Sequence, residues 1–71
     1  MQVIILLDQL LIEKGISQHQ LSRLTLIRQA TINSMCRNLS KQIPLENLAI
    51  ICEVLDCQIS DILTLKKEPT E

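Results

Sequence analysis

Leu7, Leu10 and Leu11 recur at the spacing of one helical face, and Gly15 follows where a helix would stop. The spacing predicts a first helix from Leu7 to Lys14. Ahead of it, Val3 to Leu6 is a short run rich in β-branched residues that reads as a strand or as the first helical turn. Leu63-Thr64-Leu65-Lys66 alternates in a similar way near the other end, and the two termini are expected to meet as a small antiparallel ribbon. Ser17-Gln18-His19-Gln20 fits a capping box, in which the Ser17 hydroxyl accepts from the Gln20 amide and the Gln20 side chain reaches back to the Ser17 amide. Ile16 and Leu21 sit where a hydrophobic staple would, so a second helix is expected from Ser17 to about Leu24, burying Leu21 and Leu24. Only Thr25, Leu26 and Ile27 intervene before a third helix, about Arg28 to Cys36. It turns Ile32, Met35 and Cys36 inward and leaves Gln29, Asn33 and Arg37, at steps of four, on the outer face.

Asn38 to Ile43 reads as a loop. Pro44 then opens a fourth helix at the position where its missing amide and fixed φ do no harm. Leu45, Leu48, Ala49, Cys52 and Leu55 form its expected buried stripe, widened by Ile51, and Glu46 in the first turn complements the helix dipole. Ser60 is the expected N-cap of a short last helix carrying Ile62 and Leu63. The predicted architecture is an all-α, compact five-helix domain over residues 1–66, with the terminal ribbon added and a polar tail over 67–71 that frays. Two short helices joined by a turn as brief as that before Arg28 form the unit that places its second helix in a DNA major groove.

Composition narrows the function. The 71 residues hold one domain, 46% of them are hydrophobic, and Phe, Tyr and Trp are absent, so Leu and Ile must build the core. Lack of aromatics also argues against single-stranded nucleic acid, whose bases usually stack on such rings. The greasy start, Met1 to Leu7, lacks the basic flank and cleavage site of a signal peptide and is ended by Asp8. With no apolar run of membrane-spanning length, the protein is expected to be soluble and cytoplasmic, with no membrane partner. Cys36, Cys52 and Cys57 are odd in number and lack a C-x-x-C spacing, and are read as reduced cysteines acting as small hydrophobes. No metal-ligand cluster, no glycine-rich phosphate loop and no nucleophile with a base at workable spacing is visible, so neither a cofactor nor enzymatic activity is expected.

Charge changes the picture once it is mapped. The chain is −1 overall, yet Lys14 to Lys41 carries Lys14, Arg23, Arg28, Arg37 and Lys41 with no Asp or Glu. A stretch this long without an acid, in a slightly acidic protein, is the footprint expected of a phosphate-facing surface.

The stretch Gly15-Ile16-Ser17-Gln18-His19-Gln20-Leu21-Ser22, the helix carrying Ala30-Thr31-Ile32, and the run from Leu48-Ala49 through Leu55-Asp56-Cys57-Gln58 to Asp61-Ile62-Leu63 resemble the lambda-repressor-like (Xre-type) helix-turn-helix family, in particular its short bacterial and phage regulators. The likeness covers nearly the whole chain. Ser22 stands where that family usually has Ala, Leu26 where a glycine takes a left-handed backbone, and Arg28 where a Ser or Thr N-cap is usual. The left-handed conformation costs a residue such as Leu26 on the order of 1 kcal/mol.

The resemblance implies a sequence-specific repressor of double-stranded DNA whose third helix enters the major groove. Gln29 and Asn33 have the donor and acceptor pair that suits adenine N7 and N6. Arg28 or Arg37 suits guanine or phosphate. Thr31 and Ser34 complete the DNA-binding set on this helix. Gln18, Asn38 and Lys41 are assigned to the phosphate backbone, Gln18 because it opens a helix whose free amides attract anions. His19 is read as an exposed bystander. A homodimer on two half-sites is expected, held by Ile50, Ile51 and Val54 or by the strand edge near Val3 to Leu6. The rival reading is a protein-binding module, such as an antitoxin or antirepressor, with a regulatory protein as its partner.

Overall fold

A computed structural model describes residues 1–67 of the chain. Its elements run β1 (Gln2–Ile5), α1 (Leu7–Lys14), α2 (Gln18–Thr25), α3 (Gln29–Cys36), α4 (Leu45–Leu55), α5 (Ile59–Ile62) and β2 (Leu63–Lys66). The expected tail lies, apart from Lys67, outside these residues.

Each helix starts or stops for a local reason. Gly15 ends α1 at φ 69°, with its amide donating to the Ile12 carbonyl at 3.2 Å, a left-handed cap that glycine adopts without steric cost. The capping box at Ser17 is formed in full: the Gln20 amide donates to Ser17 Oγ at 3.0 Å, and the Ser17 amide donates to Gln20 Oε1 at 2.9 Å. Arg28 and Pro44 each stand just outside their helices as N-caps, one position earlier than the first helical residue expected of them. The last helix is not capped by Ser60. Gln58 is its N-cap and donates its amide to Asp61 Oδ2 at 2.9 Å, the carboxylate three residues on reaching back as in a capping box.

The termini meet as expected. β1 and β2 are antiparallel with Val3 opposite Leu65 and Ile5 opposite Leu63, and the Leu6 amide donates to the Ile62 carbonyl at 2.6 Å. Six side chains are fully buried, Leu7, Leu21, Ile32, Met35, Ile51 and Ile62, and every helix contributes at least one. The core is thus a single centre on which all five helices converge, and no helix can be removed without opening it.

Three details of the packing differ from expectation. Leu24 is 59% exposed, and Thr25 is buried in its place. Thr25 Oγ1 donates to the Leu21 carbonyl at 2.7 Å and accepts from the Ile27 amide at 3.2 Å, so its polar atom is satisfied and its burial carries little penalty. In α4 the buried line is Leu48, Ile51 and Leu55, with Cys52 at its margin; Leu45, 81% exposed, and Ala49 face out. Leu45 is the first residue of α4, so it lies beyond the turn that packs, and Ile51 occupies the centre of the stripe rather than its border. Its complete burial also removes Ile51 from any dimer surface.

Candidate nucleic-acid interface

The α2–α3 unit is held by polar contacts that fix the angle between its helices. Leu26 closes α2 with φ 62° and its amide donating to the Ser22 carbonyl at 2.8 Å, and its side chain is 90% exposed. This is the left-handed turn position at which the resembled family favours glycine. Ser22 Oγ donates to the Ile27 carbonyl at 2.6 Å, tying α2 to the residue that leads into α3. Ile27 is buried, so the turn is pinned from both sides.

This frame divides α3 cleanly. Ile32, Met35 and Cys36 are buried, while Gln29, Asn33 and Arg37 are exposed. Thr31 and Ser34 are half-buried, and Arg28 is exposed just before the helix. The first turn of α2 lies against this face: Asn33 Nδ2 donates to Gln18 Oε1 at 3.1 Å. That bond leaves the Asn33 carbonyl oxygen and its second N–H available, the pair of groups an adenine edge requires. His19, read from sequence as a bystander, meets Gln29 with 3.4 Å between Nδ1 and Oε1. A His19 Nδ1–H would donate to that oxygen and leave the Gln29 amide group turned outward. Nothing in the local pattern signals this contact; it depends on how α2 crosses α3.

Asn38, assigned from sequence to the phosphate backbone, has its side chain engaged within the fold. It ends α3 with φ 58°, and its side chain turns to the ribbon, accepting from the Ile5 amide at 2.7 Å and donating to the Ile5 carbonyl at 3.0 Å. The side-chain amide stands in for a third strand beside β1. Lys41 is exposed in the loop that follows, as are Arg28 and Arg37. Along the sequence no acid lies between Lys14 and Lys41.

Burial, reinforced by the Asp8 carboxylate, pushes the Cys36 thiol up to about 11, which keeps it protonated within the core. Among the described residues no group of three or more His, Cys, Asp or Glu is placed to hold a metal ion, and no helix is long and apolar enough to cross a membrane.

A family model for the Cro/C1-type HTH DNA-binding domain matches residues 7–68. No curated protein matches the chain in sequence. Among solved structures, the crystal structure of a Bacteroides fragilis protein to which DNA binding has been ascribed is similar with a TM-score of 0.79 and 22% identity, covering 89% of this chain and 100% of that one. At that identity the likeness speaks for the fold.

Proposed function

This chain belongs to the Cro/C1-type helix-turn-helix DNA-binding family, and we propose that it is a sequence-specific repressor that lays α3 in the major groove of duplex DNA. One observation carries the reading: α3 exposes the strip Gln29, Asn33 and Arg37 while it buries Ile32, Met35 and Cys36, in a stretch without a single acid. Asn33 and Gln29 read base edges. Arg28 and Arg37 grip guanine or phosphate, Thr31 and Ser34 line the groove wall, and Gln18 and Lys41 hold the backbone. Asn38 supports the interface through Ile5. Repression needs nothing beyond occupancy, since a protein seated on an operator blocks access to it.

A short helix reads few base pairs, so two copies on half-sites about one helical turn apart provide useful specificity. The ribbon offers the better surface for that contact, because Val3 and Leu65 form a cross-strand pair and are 56% and 63% exposed.

Selection of bound sequences from random duplex DNA, followed by a salt titration on the winner, tests the proposal. The expected result is an enriched motif with two-fold symmetry and an affinity that falls steeply with salt. Recovery of unselected sequence would overturn the base-reading role of α3.

A further inference from the structure

Three helices of this fold end in the same way. At α1 the amides of Gly15 and Ile16 donate to Ile12 and Leu11 at 3.2 and 3.0 Å; at α3 those of Asn38 and Leu39 donate to Met35 and Ser34 at 3.0 and 2.9 Å; at α4 those of Asp56 and Cys57 donate to Glu53 and Cys52 at 3.4 and 3.0 Å. The middle residue is left-handed each time, with φ of 69°, 58° and 50° at Gly15, Asn38 and Asp56. This pair of bonds folds the chain back so that the side chain just past the left-handed residue lies against the one four positions before that residue. At α1 those side chains are Leu11 and Ile16, both packed in or against the core. At α4 they are Cys52 and Cys57.

Both are free thiols, half-buried at the edge of the core and within reach of a small reagent, whereas the third thiol, Cys36, is buried. We propose that Cys52 and Cys57 form a thiol–disulfide site that closes intramolecularly with a low-molecular-weight disulfide as oxidant. The Cys52 thiolate attacks one sulfur of that disulfide and expels the other as a thiolate, leaving a mixed disulfide on Cys52. Cys57 then gives its proton to solvent and attacks Cys52 Sγ, expelling the second small thiolate. Two protein thiols are oxidised, one small disulfide is reduced to two thiols, and no further reactant is needed.

Cys57 suits the second step. The reversed chain holds it beside Cys52, and burial, then the facing Cys52 thiol and the Asp61 carboxylate, raise its thiol above the ordinary value against the pull of Lys14, so its attack quickens as pH rises. The backbone is already folded into the loop that the bond would close. The site uses no residue of the proposed DNA face, so it stands whether or not α3 reads bases.

The full reduced chain, incubated with oxidised glutathione at about pH 8 and quenched in acid, provides the test by intact mass and peptide mapping. The expected product is a monomer lighter by about 2 Da, the two hydrogens lost, with residues 52 and 57 linked and Cys36 still open to alkylation once the protein is denatured. In Cys57→Ser the resolving thiol is gone, and a single glutathione adduct should accumulate on Cys52. A wild-type protein that keeps the glutathione adduct without closing, a linkage that involves Cys36 or joins two chains, or a lack of reaction in both proteins overturns the proposal.

Discussion

The α2–α3 pair and the α4–α5 pair solve one architectural problem with opposite surfaces. Each joins two helices by a short link whose first residue is a left-handed non-glycine, Leu26 at φ 62° and Asp56 at φ 50°. Each buries its second helix in the shared core, through Ile32 in one and Ile62 in the other. Yet α2–α3 carries no acid, while α4–α5 carries Glu46, Glu53, Asp56 and Asp61 and no base. The second helices differ as well, 8 residues in α3 against 4 in α5. The backbone plan is thus shared by both pairs. The charge and length of the outward face are what set them apart.

The comparison breaks first at the core if it is wrong. Ile32→Ala and Ile62→Ala should each cost roughly 2 to 5 kcal/mol in urea unfolding, because both side chains are fully buried and leave a cavity. In a domain whose total stability is of order 5 kcal/mol, either variant should keep only about 0 to 3 kcal/mol and at the upper cost be about half unfolded at ambient temperature. A large loss in one and a small loss in the other would show that the two pairs do not share one core.

Asn38→Ala should cost about 1 to 3 kcal/mol, since it strips two partners from the backbone of buried Ile5. Hydrogen exchange at the Ile5 amide should accelerate more than at Leu21. Equal protection in both proteins would mean that the ribbon holds without its latch.

Asn33→Ala sharpens the functional half of the comparison. The thermal midpoint should hardly move, while discrimination between preferred and altered duplexes falls by roughly 1 to 3 kcal/mol if the side chain reads a base. Glu53→Ala, on the exposed face of the acidic pair, should leave that discrimination unchanged. A shift from Glu53 and none from Asn33 would transfer DNA recognition to the other pair.

The smallest expected effect separates the two links. Leu26→Gly should stabilise by about 0.5 to 1 kcal/mol, because relief of the left-handed strain exceeds the added freedom of the unfolded chain. Asp56→Gly should gain less, as aspartate tolerates that conformation better than leucine. Calorimetry that ranks the two in reverse would place the strain in the α4–α5 link.

Much of this was legible because the signals were local. Leu7 to Lys14 as a helix, the Ser17 to Gln20 box, the inner and outer faces of α3 and the pairing of the two termini follow from residues a few positions apart, or from two runs of matching alternation. What escaped depends on distance or on satisfied polarity. Thr25 reads from sequence as part of the turn after the second helix, and only its bonds to Leu21 and Ile27 reveal why it lies inside. Leu45 reads as core because it is apolar and in step with Leu48, yet at the very start of α4 it is 81% exposed. For the candidate interface, sequence marks the outward strip of α3 but not the contact of His19 with Gln29, 10 residues away, nor that of Asn38 with Ile5, 33 residues away. Such partners are chosen by the crossing of elements, which hydrophobic periodicity does not encode.

The latch at Asn38 also bears on the order in which the molecule assembles. Pairing β1 with β2 joins Gln2 to Lys66, nearly the whole length of the chain, whereas Asn38 and Ile5 are 33 positions apart. Closing the longer loop costs more chain entropy, by about 0.6 kcal/mol for each doubling of its length. Distant pairings of this sort are also the slower ones to form. The end of α3 therefore offers β1 a nearer landing place than its own strand partner does. The N-terminal segment should dock at the end of α3 once the helices have packed, with β2 zipping on afterwards, so that the ribbon is the last element to arrive and the first to open.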